Sequence, residues 1–244
     1  MGTPDNQTAN LELGRRVLVV AAIGRELAAL RRTADPRLAL LETGEGAENA
    51  RRAVGSWLDF ETPRAVVGIG FAGALSDSLR VGDLLVARES RTPEGESVAP
   101  VQTMLEAARR ARGDGGVVRF GVTMTVNEVV CQAEGKRKLA MTVADEVACV
   151  DMESSAVASV CAERGIPFVV ARCITDLLTE DLRVDFNRCR RADGRISNWK
   201  VVASALRRPA SFTLLWALRQ RSIVCSRKLA TFVGCLVTEL ERAV

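Results

Sequence analysis

Apolar positions along this chain come in two alternating textures. Short continuous apolar runs of strand length give way to longer stretches in which apolar residues recur at helical spacing. The run VLVVAAI at 17–23 predicts a buried strand, followed by a helix carrying Glu26, Leu27 and Leu30. A short strand is expected at 38–42 and a helix at 46–59. A second apolar strand at 65–70 then enters a glycine-rich loop from Gly68 to Gly73. Residues 81–87 read as a turn entering a strand, 91–99 as a polar loop, and 101–111 as a helix that ends at Gly113. A strand at 117–123, a helix at 133–143 and a strand at 147–150 come next. Residues 153–164 form a helix with Ala156, Val157, Val160 and Cys161 on one face, ended by Gly165 and Pro167. PFVVARCI at 167–174 is one more buried strand.

This alternation predicts an α/β fold: one domain whose central, mixed but mainly parallel sheet is flanked by helices on both faces. The domain is expected over 15–190, after a polar, disordered segment at 1–14. Residues 191–244 form a helical C-terminal extension packed on it, helical over 198–240 with a break near Pro209.

Composition narrows the chemistry. The 244 residues include 34 basic and 30 acidic ones, and a net charge of +4 is too small to argue for a nucleic-acid partner. The chain has no histidine and no tyrosine. Ser-His-Asp and Cys-His catalysis and most zinc-hydrolase sites are therefore excluded, and acid–base work falls to Asp, Glu, Lys or Cys. The 7 cysteines form no Cys-x-x-Cys pair, and several lie in apolar runs, as small buried residues in a reducing compartment would. The first residues hold no apolar signal core, so the cytoplasm is the expected location.

In open α/β sheets, ligands bind beyond the carboxyl ends of the strands. Three carboxylates follow apolar strands there: Glu26 after the first, Glu153 after VACVDM, and Asp176 after PFVVARCIT. GIGFAGAL follows at the same edge, where small residues let backbone approach a ligand. Each acid alone has a structural reading. Glu26 and Glu153 stand in first helical turns, where they complement the helix dipole, and Asp176 suits a helix N-cap. Convergence on one edge, with no histidine to compete, favours the functional reading.

Four segments carry a resemblance: AAIGREL at 21–27, GIGFAGALSDSLRVGDLLVA at 68–87, VDMESSAVA at 150–158 and FVVARCITD at 168–176. In order and spacing they resemble the nucleoside phosphorylase/hydrolase superfamily, and within it methylthioadenosine/S-adenosylhomocysteine nucleosidases. DGRISNWKVVASALRRPASFTLLWALRQRS at 193–222 is similar to the ending of hopanoid-associated nucleosidases, which are thought to release adenine from adenosylhopane. The resemblance implies a nucleoside phosphorylase-like fold and cleavage of an adenine nucleoside. It implies roles for matching residues: Glu26 activates the attacking water, Glu153 grips the ribose hydroxyls with Met152 packed on the sugar, and Asp176 protonates the departing base at N7. For that, burial should raise the Asp176 pKa. Phe71, Ala72, Gly73, Val129, Val130 and Asp151 fall among the substrate-binding positions. No cofactor and no metal are implied, and a homodimer is.

Departures from the family matter as well. Phosphorylases of the superfamily hold phosphate with an arginine near Gly68 and a serine near Phe71, and this chain has neither there. Arg25 is near in sequence but free to point to solvent. Phosphate needs several donors, so hydrolysis is favoured over phosphorolysis. Val129 and Val130 stand where the family often has a base-stacking aromatic; backbone near Val130 remains able to read the adenine edge. Two alternatives stay open: a phosphate-dependent purine nucleoside phosphorylase, and a non-catalytic nucleoside-binding protein. In the tail, apolar Leu214, Leu215, Leu218, Phe232, Val233 and Leu236 accompany basic Arg207, Arg208, Arg219, Arg221, Arg227 and Lys228. No apolar run there is long enough to span a bilayer. The tail is either a helix pair packed on the domain or an amphipathic segment resting peripherally on an anionic membrane.

Overall fold

A computed structural model describes residues 16–111, 117–143, 146–182 and 210–242. The first strand, β1 (Val17–Ala21), is buried along its whole length. Val17 and Val19 enter one apolar cluster and Leu18 and Val20 another, as the two-residue period of a strand requires. Two short helices follow, α1 (Gly24–Leu27) and α2 (Leu30–Thr33). The chain continues through β2 (Leu38–Glu42), α3 (Ala47–Leu58), β3 (Ala65–Ala74), β4 (Leu84–Arg91), the two-residue β5 (Ser97–Val98) and α4 (Gln102–Arg110). Then come β6 (Val118–Thr125), α5 (Ala133–Thr142), β7 (Ala148–Asp151), α6 (Ser154–Glu163), β8 (Phe168–Asp176) and α7 (Ala210–Arg242).

The strands form one mixed sheet in the order β2-β1-β3-β7-β6-β4-β5, with β8 paired to both β3 and β4. The pairings β1–β2, β1–β3, β3–β8, β4–β6 and β6–β7 are parallel, and β3–β7, β4–β5 and β4–β8 antiparallel. The ring β3–β8–β4–β6–β7–β3 closes on itself, so this part of the sheet is a small barrel rather than an open edge. On one face α4 and α7 supply Met104, Leu105, Leu229, Phe232, Val233 and Leu236. On the other, α3 and α6 supply Val54, Leu58, Val157 and Cys161.

Three differences from the sequence reading bear on the site. The glycine-rich stretch after Gly68 is strand, not loop: β3 runs to Ala74, paired with β8 from Val66 to Gly73 across a register shift after Ala72, and with β7 at its end. At Gly70 the reason is space, because a Cβ there would stand 1.9 Å from Arg172 Nη1. β4 likewise extends to Arg91, into what reads as polar loop, and turns back through β5. β8 extends to Asp176, so this residue ends a strand and caps no helix. In the tail, a single helix runs from Ala210. The expected break near Pro209 lies outside the described residues, as do Arg207, Arg208 and the side chains of Leu214 and Leu215.

Candidate active site

Glu26 sits in the single turn of α1, buried, with its carboxylate turned back on the chain. Oε2 accepts the Ile23 amide at 3.1 Å and Oε1 accepts the Phe71 amide at 2.8 Å. One backbone donor on each oxygen fixes the group and leaves lone pairs for a ligand or water. Burial pushes its pKa up, opposed by the Arg172 guanidinium and by the backbone amides.

That guanidinium was not singled out by the sequence reading. Arg172 interrupts the apolar run of β8, is 2% exposed, and meets Asp151 in a buried ion pair. Its Nε also donates to Ser154 Oγ at 2.9 Å, and the serine hydroxyl donates to Asp151 Oδ2. Asp151 Oδ1 accepts from Thr125 Oγ1 at 2.9 Å. Asp151 therefore lines the cavity, with its carboxylate engaged by Arg172, Ser154 and Thr125. Glu153, just before α6, accepts the Gly46 amide on Oε1 at 2.7 Å. Burial, with Asp151 and Glu26 nearby, pushes its carboxyl up to about 8 against the pull of Arg172.

Asp176 stands at the end of β8, 5% exposed. Oδ1 accepts from Thr175 Oγ1 at 3.0 Å, and Oδ2 accepts from the Lys136 ammonium. Burial raises its pKa, while Lys136 and the Thr175 hydroxyl oppose that rise. Lys136, on α5, was also missed by sequence reasoning. It is one of three basic residues in GKRK, and nothing local marks it as the buried one.

All of the expected site residues meet around one cavity of about 240 Å³: Glu26, Phe71, Ala72, Gly73, Val129, Val130, Asp151, Met152, Glu153 and Asp176. The C-terminal ends of β1, β3, β7 and β8 bring them there, with the loop after β6. Ile23, Glu45, Glu128, Thr175, Leu182 and Leu218 complete much of the lining. Phe71 is the one aromatic among the described lining residues. Arg25 is exposed and outside it. Among the described residues no group of His, Cys, Asp and Glu is arranged to hold a metal ion.

The arrangement suits heterolysis at a sugar carbon. One carboxylate is fixed by amides and faces the cavity, a second sits at its wall with a raised pKa, and a third carboxyl can hold a proton against a departing group.

Comparison with known proteins gives the family and the fold. The phosphorylase superfamily matches residues 20–193. A 5'-methylthioadenosine/S-adenosylhomocysteine nucleosidase of Shewanella loihica is 29% identical, over 59% of this chain and 70% of that one. Its counterpart in Shewanella oneidensis is 31% identical, over 51% and 60%. The matched stretch thus spans roughly two thirds of those relatives. Among solved structures, the Neisseria meningitidis nucleosidase in complex with methylthio-immucillin-A superposes with a TM-score of 0.67 at 20% identity, covering 94% of this chain and 100% of that one. The futalosine hydrolase of Helicobacter pylori gives 0.70 at 16% identity, over 93% and 98%. At such identities the structural likeness establishes the fold.

Proposed function

Because the chain belongs to the phosphorylase superfamily, we propose that it hydrolyses the N-ribosidic bond of an adenine nucleoside and releases free adenine. The observation that carries this reading is the placement of Glu26 and Asp176 on one cavity, each carboxyl held by a fixed set of donors. Breaking the bond builds oxocarbenium character on the ribose and negative charge on the base. Asp176 supplies a proton to the base, and Glu26 orients and deprotonates the water that attacks C1′. Arg172, against Gly70 and Glu26, opposes the burial that raises the Glu26 pKa and so favours its carboxylate form. Glu153 holds the ribose hydroxyls and Met152 packs on the sugar.

Charge favours water over phosphate. Arg172, the guanidinium of this cluster, is buried among the carboxylates of Asp151, Glu153 and Glu26. The Arg172 charge is already answered by the buried Asp151, and Arg25 is exposed and outside the cavity, so neither is offered to an incoming phosphate dianion. Adenine release should therefore proceed at the same rate with and without phosphate, and the sugar product should be free ribose. Chromatography of the products in phosphate buffer checks this. A ribose 1-phosphate product would establish the phosphorylase reading instead.

For the 5′ substituent, the reading is an apolar lipid of the adenosylhopane kind, acted on at a membrane surface. The likeness of residues 193–222 to hopanoid-associated nucleosidases supports it, as do Leu182 and Leu218 in the cavity lining. Adenosylhopane tested beside methylthioadenosine discriminates: preferential cleavage of methylthioadenosine would remove the lipid assignment and leave the nucleosidase.

A further inference from the structure

We infer that Lys136 is a positioning residue for departure of the base: its buried ammonium holds one oxygen of Asp176, turns the carboxyl toward the cavity, and accepts the charge that forms when Asp176 gives up its proton. This rests on the adenine-releasing reading above.

Lys136 is fully buried, and its ammonium has three acceptors: Asp176 Oδ2, the Leu177 carbonyl at 2.8 Å and the Glu180 carbonyl at 3.0 Å. Those three acceptors use all of its donors. The bland role is to pin the 177–180 turn onto α5. Two carbonyls, however, could be satisfied by any neutral donor, whereas a buried ammonium is answered by a full charge at the moment Asp176 gives up its proton, which is the step it would serve. Asp176 lines the cavity and Lys136 does not, so the ammonium meets the carboxyl from the protein side. Its placement is built in: Asp181 Oδ1 accepts the Ala133 amide at 2.7 Å and anchors the first turn of α5. Among the described residues, Glu180 and Cys149 also lie within reach of Asp176. Glu180 is paired with Arg221 of α7 at 2.8 Å, and Cys149 of β7 is a buried thiol held well above its ordinary pKa. Burial favours the proton on Asp176 and Lys136 opposes it, so the ammonium bears directly on how readily this acid donates.

The proton count closes. As the C1′–N9 pair moves into the purine, the Asp176 O–H bond breaks and an N7–H bond forms. The new carboxylate stays hydrogen-bonded to Lys136, whose own N–H bonds remain intact. Water adds to C1′ and passes a proton to Glu26. Once adenine leaves, Glu26 gives its proton up to solvent and solvent returns one to Asp176. The sum is nucleoside plus water giving adenine plus free sugar.

The test compares pH–rate profiles of the wild type, Lys136→Gln and Lys136→Met, with folding checked by circular dichroism. Removing the ammonium raises the Asp176 pKa, so the alkaline limb should move up by about one pH unit or more. The plateau kcat should fall by roughly ten- to a hundredfold, because the acid is weaker, while KM stays within about twofold. A folded variant with kcat unchanged, or with kcat reduced and the limb unmoved, would overturn the inference and leave Lys136 as a structural pin. Should neither variant fold, the wild type decides. Its infrared difference spectrum against Asp176→Asn should show a protonated carboxyl at neutral pH that is lost as activity falls. An ionised Asp176 across the active range would overturn the inference. A wild type that releases no adenine from any adenine nucleoside would sink the functional reading itself, a result distinct from every outcome with the variants.

Discussion

Glu153 and Asp176 are carboxyls whose burial favours the protonated form, and the consequences differ because their partners differ. Asp176→Asn should fold and lose about 10²–10⁴ in kcat, since an amide donates no proton to the base; near-wild-type turnover would remove it as the acid. Glu26→Gln should lower kcat more than it raises KM, because the water is activated only on the way to the transition state. Glu153→Gln should harm both kcat and KM, since ribose contacts exist before and during the reaction. Its stability has a definite sign. The folded carboxyl titrates near 8 against an ordinary 4.5, so the native state binds the extra proton. That contribution to stability is fully present below about 4.5 and is lost as pH rises through 8. Above pH 8 the wild type carries an ionised, buried Glu153, and Glu153→Gln should be the more stable protein by roughly 1–2 kcal/mol. Thermal melts at pH 6 and pH 9 check this: the gap between the proteins should open at the higher pH.

At the scale of elements, the site depends on how closely β3 and β8 pass each other. Gly70 pairs with Arg172, and a methyl group on it would land on the guanidinium. Gly70→Ala should therefore displace Arg172 from Glu26 and Asp151. Breaking a buried ion pair is strongly destabilising, about 3–5 kcal/mol when a partner is lost outright. A displaced Arg172 should cost a sizeable part of that, along with activity. Denaturant unfolding checks the first and adenine release the second; a fully stable, fully active Gly70→Ala protein would show that the strands have slack. Arg172 was legible in principle, because an arginine inside PFVVARCIT has no ordinary place in a strand buried on both faces. The length of β3 was not. Three glycines read locally as a loop, and only pairing along β8 makes them strand.

For the whole molecule, α7 is the element whose role changes most. Phe232, Val233 and Leu236 are buried in the main apolar cluster, so the far part of the helix belongs to the core. Of its basic residues, Arg221 is tied to Glu180 and to the Thr175 carbonyl at 3.0 Å, and Lys228 donates to the Gly82 carbonyl at 2.7 Å. They act inside the protein and are not free for lipid. What remains outside is a stripe at helical spacing, Trp216, Arg219, Gln220, Ile223, Val224 and Arg227, with Trp216 65% exposed. Leu218 on the same helix lines the cavity, so the stripe lies beside the active site. Among the described residues no helix is long and apolar enough to cross a membrane. If the substrate is a membrane lipid, the stripe is the surface that meets it. The protein should then sediment with anionic liposomes at low salt and release at high salt. The double variant Arg219→Gln with Arg227→Gln, joined to Trp216→Ser, should abolish sedimentation without reducing cleavage of a soluble nucleoside. Failure of the wild type to sediment would remove the membrane role; concentration-dependent dimerisation lost in the triple variant would assign the stripe to a second copy of the chain.

Strand and helix order, and the acids that follow the strands, were determined by the sequence alone. Burial on both faces makes β1 and β8 continuous apolar runs, and a helix buried on one face repeats at its own period; both patterns are local. The absence of histidine left acid–base work to Asp, Glu, Lys or Cys before any contact was known. Partnership was decided only by the tertiary structure. Lys136 sits 40 residues from Asp176, and Arg172 reaches Asp151 on another strand. Nothing in GKRK marks the buried lysine, and nothing in VDMES shows that Asp151 answers an arginine. A charge is left in a core only where a partner answers it, and the partner is chosen by the closure of β3, β8, β4, β6 and β7.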